Sequence, residues 1–195
     1  MTEHTSQRLH GAAGSGVCLW LTGLSGAGKS TIGRHLADRL EQWQLQPALL
    51  DGDAIRASTS RDLGFSQSDR NTNVRRVACL ARDVVTAQRP AIVALISPYR
   101  ATREEARDIV GRDRFLEIFI STPLTVCEAR DVKGLYARAR RGEITGFTGI
   151  DDPYEPPTNP ALVIDGSGGS VEESTARIVQ LLIDGGFAPA RRQAV

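Results

Sequence analysis

The sequence predicts an α/β fold: one parallel five-stranded sheet with helices on both faces, in a single domain. Three observations predict it. Short apolar runs alternate with helix-period segments along the whole chain. A glycine-rich stretch, Gly23-Leu24-Ser25-Gly26-Ala27-Gly28-Lys29-Ser30-Thr31, sits between one such run and one such helix. Acidic residues, Asp51 and Asp53, close the next apolar run, where open α/β sheets gather their ligands.

The glycine-rich stretch fits G-x-x-x-x-G-K-[ST], the pattern of a P-loop NTPase or kinase fold. A strand–loop–helix junction collects unpaired backbone N–H groups at the positive end of a helix, where they can hold phosphate oxygens. Gly23, Ser25, Gly26, Ala27, Gly28 and Thr31 would line this cradle. Lys29 would reach the β- and γ-phosphates of ATP, and the Ser30 hydroxyl would ligate Mg²⁺.

Residues 1–16 are polar and aperiodic and are expected to form a flexible tail before a kinase domain over 17–187. The first strand is Val17 to Leu21, and its helix runs from Lys29 to about Leu45, before Pro47. Ala48 to Leu50 forms the second strand. Asp51 and Asp53 flank Gly52 at its end, which favours a role at the site over simple helix capping. Ile55 to Asp69 reads as irregular or weakly helical. Phe65 lies within it among polar residues, either as a local core plug or as a platform for a base. A helix from Asp69 to about Gln88 places Val74, Val77, Ala78 and Ala81 on one face and Arg70, Asn73 and Arg76 on the other.

Ala91 to Ile96 reads as a buried strand ending at Ser97-Pro98-Tyr99, followed by a charged helix over Thr102–Val110. Phe115 to Ile120 is a fourth strand, and a helix carrying Cys127 and Glu128 begins at Pro123. Residues 131–157 are glycine-punctuated and cationic, which reads as a mobile lid over an anionic ligand. Within them, Asp151 to Pro157 forms a stiff connector. Leu162 to Asp165 is the fifth strand. Val171 to Ile183 is a closing helix capped by Ser170 with Glu173 three residues on. Residues 188–195 are expected to form a tail.

Composition narrows the function classes. The net charge of +1 gives no electrostatic case for nucleic acid or an anionic membrane. No apolar run is long enough to span a bilayer, and the polar N-terminus lacks a signal core, so a cytoplasmic protein is expected. Cys18, Cys79 and Cys127 are odd in number and lack metal spacing, which predicts buried reduced thiols. Of the 24 Lys and Arg residues only two are lysines, Lys29 and Lys133. A compact ammonium does what a planar guanidinium cannot in a tight phosphate cradle, so Lys133 is also assigned to the site. There is no N-K-x-D run to read guanine, and the short strands with a late cationic lid suit a small phosphotransferase.

Beyond the phosphate loop, Leu50-Asp51-Gly52-Asp53, Asp62-Leu63-Gly64-Phe65-Ser66, Asp69-Arg70, Asn73-Val74-Arg75-Arg76, Ile96-Ser97-Pro98-Tyr99-Arg100 and Gly146-Phe147-Thr148-Gly149-Ile150-Asp151-Asp152-Pro153-Tyr154-Glu155-Pro156 resemble the adenylyl-sulfate kinase family. That family transfers the γ-phosphate of ATP to the 3′-hydroxyl of adenosine 5′-phosphosulfate, the activation step of sulfate assimilation. The resemblance implies that Phe65 and Phe147 sandwich the acceptor's adenine. It implies that Arg56, Arg70 and Asn73 hold the phosphosulfate, with Ile96, Ser97, Gly146 and Thr148 as further acceptor contacts. Lys133 and Arg138 or Arg141 would neutralise charge on ATP. Asp53 would orient and deprotonate the 3′-hydroxyl, with Asp51 nearer Mg²⁺, although these two roles could be exchanged.

A homodimer and a functional link to ATP sulfurylase are also implied. Ala54 and Thr72 depart from the Asn and Glu that many members carry, which predicts altered affinity. Ser97 matches a serine that some members phosphorylate, although a strand-end turn before Pro98 explains it as well. Two alternatives remain at this point. One is a P-loop kinase of another small alcohol, which would not need two aromatics around a second adenine. The other is a non-catalytic nucleotide-binding regulatory subunit, which would be expected to lack Lys29, Ser30 or the two aspartates.

Overall fold

The computed structural model describes residues 16–188; the two expected tails lie outside the described residues except at Gly16 and Ala188. Five parallel strands form one sheet: β1 (Cys18–Thr22), β2 (Ala48–Asp51), β3 (Ala91–Ala94), β4 (Phe115–Ile120) and β5 (Leu162–Ile164), in the order β2-β3-β1-β4-β5. β1 lies at the centre, with Cys18 beside Ala91 on one flank and Phe115 on the other.

The sheet is covered on both faces because its strands alternate two apolar sets. Leu19 and Leu21 face α1 (Lys29–Glu41) and α7 (Val171–Asp184), where Leu36, Leu40, Ile178 and Leu182 bury against them. Cys18 and Trp20 face the other way, onto Val74, Val77, Ala78 and Ala81 of α3 (Gln67–Thr86) and Ala106 of α4 (Arg100–Val110). Ser170 caps α7 with a reciprocal Glu173 contact, the capping box that the sequence predicts.

This topology places the site. After β1 the chain leaves for β2 on one side, through α1 on one face; after β3 it crosses to β4 on the other side, through α4 on the opposite face. The connections diverge between β1 and β3, and a crevice opens at their carboxyl ends.

Several element boundaries differ from expectation. α1 stops at Glu41, four residues short, because Gln44 takes a left-handed φ of 61°. β3 stops at Ala94: the Ile96 carbonyl accepts a hydrogen bond from Thr22 Oγ1 (2.7 Å), and Ser97 turns to φ 41°. α2 (Gly52–Ala57) starts ahead of the stretch read as irregular or weakly helical and runs three residues into it, and α3 starts at Gln67, two residues early, because Ser66 Oγ accepts from Asp69 N. All three cysteines are free, but Cys79 is only half-buried because it lies between the buried stripe of α3 and its solvent side.

Candidate active site

β1 runs directly into the phosphate loop. Gly28 takes φ 107° at the N-terminus of α1, a conformation that an L side chain rarely adopts. At Gly23 a Cβ would stand 2.5 Å from the Ile120 carbonyl oxygen, so β4 fixes the start of the loop by close backbone approach. Two side chains brace it from behind. Tyr136 donates its hydroxyl to the Ser25 carbonyl (2.9 Å), and Arg130 reaches the carbonyls of Gly26 and Gly166.

Lys29 is 8% exposed and donates to the carbonyls of Gly23 (2.9 Å) and Leu24 (2.6 Å). Burial pushes its ammonium down to about 8; Lys133 adds to that shift, and Asp53 and Asp51 oppose it. Two lysines and two carboxylates from three separate segments therefore converge on the loop. Lys133 forms an ion pair with Asp53. With the two side chains 49% and 67% exposed, this is a solvent-screened pair that opens at little energetic cost.

Asp51 caps α2 by accepting from Asp53 N (3.0 Å) through one carboxylate oxygen. Its other oxygen, Oδ2, is buried with no hydrogen-bond partner. A buried carboxylate oxygen without a donor suits a cation. The Ser30 hydroxyl, next along the loop from Lys29, supplies a second oxygen of the kind that Mg²⁺ prefers. Among the described residues no cluster of three or more His, Cys, Asp or Glu forms a metal cage.

The second half of the crevice belongs to α2, α3 and the segment after α6 (Leu135–Arg140). Phe65 is 64% exposed, with the Arg56 guanidinium 4.6 Å from its ring centre and that of Arg70 at 5.8 Å. Exposure decides against the core-plug reading. Phe147 is partly buried and stands edge-on to Tyr136, with centroids 5.0 Å apart. Arg56 donates to the Gly64 carbonyl (2.9 Å). Arg70 is buried and donates through Nε to the Phe65 carbonyl (3.0 Å) and through Nη2 to the Gly146 carbonyl. Asn73, one turn on, is 2% exposed, with its side-chain oxygen unpartnered.

Ser97 is also buried: its Oγ accepts from Trp20 Nε1 (3.0 Å) and lies 3.0 Å from Thr22 Oγ1. Its carbonyl accepts from Arg103 (2.7 Å), and that guanidinium also reaches the Glu155 carbonyl and the buried Glu117 carboxylate. Ile96, one residue earlier, contributes its carbonyl to Thr22. Thr148 donates to Asp152 Oδ2 (3.3 Å).

Arg138 and Arg141 each take a carboxylate partner within residues 131–157. Both pair with Glu143 of their own segment, at 3.4 Å and 2.6 Å. The bracing side chains Tyr99, Arg103, Glu117, Tyr136, Asp151 and Asp152 are not among the residues assigned to the site from the sequence. The consecutive carboxylates after Gly146-Phe147-Thr148-Gly149-Ile150 were the available signal, since two adjacent acids in an apolar–glycine turn need donors.

Comparison with known proteins identifies the scaffold. The family model for adenylylsulphate kinase matches residues 15–165. The adenylyl-sulfate kinase of Shewanella amazonensis is 47% identical over 189 residues, covering 97% of this chain and 93% of its own. That of Bacteroides fragilis strain ATCC 25285 is 51% identical over 168 residues, covering 86% and 83%. A Mycobacterium tuberculosis APS kinase, solved with AMPPNP and APS, superposes with a TM-score of 0.84 at 41% identity, over 87% of this chain and 98% of that one. A gluconokinase from Sinorhizobium meliloti shares the fold alone, at 15% identity and a TM-score of 0.54 over 89% and 92% of the two chains. The strand-end phosphate loop, the carboxylates beside it and these matches together place the chain in the adenylyl-sulfate kinase family of P-loop kinases.

Proposed function

We propose that the chain moves the γ-phosphoryl group of ATP onto the 3′-hydroxyl of adenosine 5′-phosphosulfate, leaving ADP and 3′-phosphoadenosine 5′-phosphosulfate. The observation that carries this reading is the two-sided crevice. A phosphate loop with a buried lysine forms one side. On the other, Arg70 ties the backbone of an exposed Phe65 to that of Gly146, next to Phe147. A flat π-face on each wall suits a second purine, which other small-alcohol kinases do not need. The mycobacterial relative, solved with a nucleotide and APS together, supports the same pairing.

In the reaction the acceptor oxygen bonds to the γ-phosphorus while the bond from that phosphorus to the bridging β–γ oxygen breaks, and ADP leaves with the electrons. Backbone N–H groups of Gly26 to Ser30 and the Lys29 ammonium hold the phosphates. Asp53 takes the hydroxyl proton. Lys133, ion-paired to Asp53, ties the lid to that carboxylate and brings a second ammonium towards the phosphates. Ser30 and the free oxygen of Asp51 would hold Mg²⁺, which when bound neutralises charge between the phosphates. Arg56 and Arg70 present guanidinium forks to the phosphosulfate, and Asn73 offers a free acceptor for a hydroxyl.

Arg138 and Arg141 would serve ATP only by exchanging Glu143 for phosphate as the lid closes. A cytoplasmic homodimer with a functional link to ATP sulfurylase completes the reading. Among the described residues no helix is long and apolar enough to cross a membrane.

The test is a coupled ADP-release assay with ATP and Mg²⁺, with and without adenosine 5′-phosphosulfate. ADP release that requires the sulfonucleotide, with a 3′-phosphorylated product by mass, is expected. ATP binding without such release would overturn the acceptor assignment and leave the fold. Sedimentation of the purified chain checks the dimer.

A further inference from the structure

Phe65 and Phe147 lie 82 residues apart in sequence, and neither packs on the other. Something must set the gap between them. On one side Arg70 Nε holds the carbonyl of Phe65 itself (3.0 Å); on the other its Nη2 holds the carbonyl of Gly146, the residue before Phe147. One buried guanidinium thus spans the backbones of both walls. That staple defines a gap only if the turn at Gly146 is itself fixed. Gly146 takes φ 65°, and a Cβ there would meet nothing within 4 Å, so neither packing nor a side chain of its own holds it.

The Phe147 carbonyl accepts from the backbone N–H groups of Ile150, Asp151 and Asp152, and what holds the amide side of the turn is a carboxylate. Asp151 Oδ2 accepts from Gly146 N (2.7 Å) and Oδ1 from Phe147 N (2.6 Å). These are charge-assisted bonds, one to each oxygen, aimed at two consecutive backbone N–H groups. The neighbouring Asp152 closes the other strand of the loop. It accepts from Tyr99 (2.8 Å) and Thr148, its carbonyl takes Gly149 N (2.7 Å), and it lies 3.9 Å from Arg70.

We infer that Asp151 is a positioning residue for the acceptor: its two backbone hydrogen bonds fix the turn that presents Phe147 and the Gly146 carbonyl, and through Arg70 they set the spacing of the aromatic walls. The inference rests on the reading of Phe65 and Phe147 as an adenine sandwich. The same two N–H groups hold the Asp151 carboxyl below the usual carboxylate range, and Arg70 adds to this, so the acceptor form is the one present at neutral pH.

The side chain is exposed and touches none of the phosphate-loop residues through hydrogen bonds, so its removal should leave ATP binding intact. In Asp151→Ala, hydrogen exchange at the amides of Gly146 and Phe147 should rise about tenfold, and the KM for adenosine 5′-phosphosulfate should rise by a similar factor. The KM for ATP should stay within about twofold. Asp151→Asn keeps one carbonyl oxygen as acceptor and should fall between wild type and alanine in both readouts; it also serves if the alanine variant folds poorly.

Faster exchange with an unchanged KM for the sulfonucleotide would overturn the inference, since the carboxylate would then brace the turn without serving the acceptor. Phe147→Ala separates this from the underlying reading. A raised KM there beside a normal KM in Asp151→Ala overturns the inference alone. A normal KM in Phe147→Ala overturns the sandwich, and the inference with it.

Discussion

Replacing Lys29 by alanine should cost about three orders of magnitude in kcat/KM while leaving the fold intact. The ammonium is 8% exposed and rests on the Gly23 and Leu24 carbonyls at 2.9 Å and 2.6 Å, at the mouth of the cradle where phosphates would sit. A unit charge about 4 Å from a phosphate oxygen, at an effective dielectric constant of about 20, contributes about 4 kcal/mol. Lost in the transition state, that is a factor of about 1,000 in rate. Stability should move little. The freed carbonyls cost about 1 kcal/mol each, a fall in Tm below about 8 °C for a chain of this size, and the variant no longer buries a cation.

The pH dependence follows from the same burial. Pushed down to about 8, the ammonium is intact at neutral pH and is lost as pH rises through about 8, so ATP affinity should weaken above that point. The stability contribution has the opposite trend. Between about 8 and the ordinary lysine value of 10.5 the unfolded chain keeps a proton that the folded chain has released, so this group's contribution rises with pH. The assay is coupled ADP release from pH 6.5 to 9.5, with melting curves alongside. A Lys29→Ala enzyme within tenfold of wild type, or an ATP affinity flat across pH 8, would refute the reasoning.

Three further outcomes are expected. Asp53→Asn should lower kcat at least about 100-fold, as expected for loss of a general base, with Tm nearly unchanged because its pair with Lys133 is exposed; single-turnover kinetics check this, and a near-normal rate would move the base role to Asp51. Glu117→Ala should destabilise by about 3–5 kcal/mol in denaturant unfolding, since it strands the buried Arg103 and the partly buried Arg107 guanidinium; a loss below about 1 kcal/mol would show that the network relaxes. Ser170→Ala should cost about 1 kcal/mol by removing the α7 cap, without changing KM for either substrate.

What the sequence determined by itself is what repeats along the chain or is spoken locally. Short continuous apolar runs and period-3.6 patterning specify five strands and the helices between them, because a sheet buried on both faces demands apolar residues along its strands. The phosphate loop is legible because glycine, lysine and a hydroxyl must occur at fixed spacing where a strand meets a helix. The Ser170–Glu173 cap is legible because its partners lie three residues apart.

Boundaries failed where a long-range bond ended an element, as when Thr22 takes the Ile96 carbonyl and stops β3 two residues early. Only the tertiary structure paired Lys133 with Asp53 across 80 residues, turned Arg138 and Arg141 onto Glu143, and stretched Arg70 between Phe65 and Gly146. An arginine's charge is readable in a sequence, but which acceptor its fork meets is not. That depends on where the sheet's twist and the helix packing deliver segments remote in the chain, and no local propensity encodes those positions.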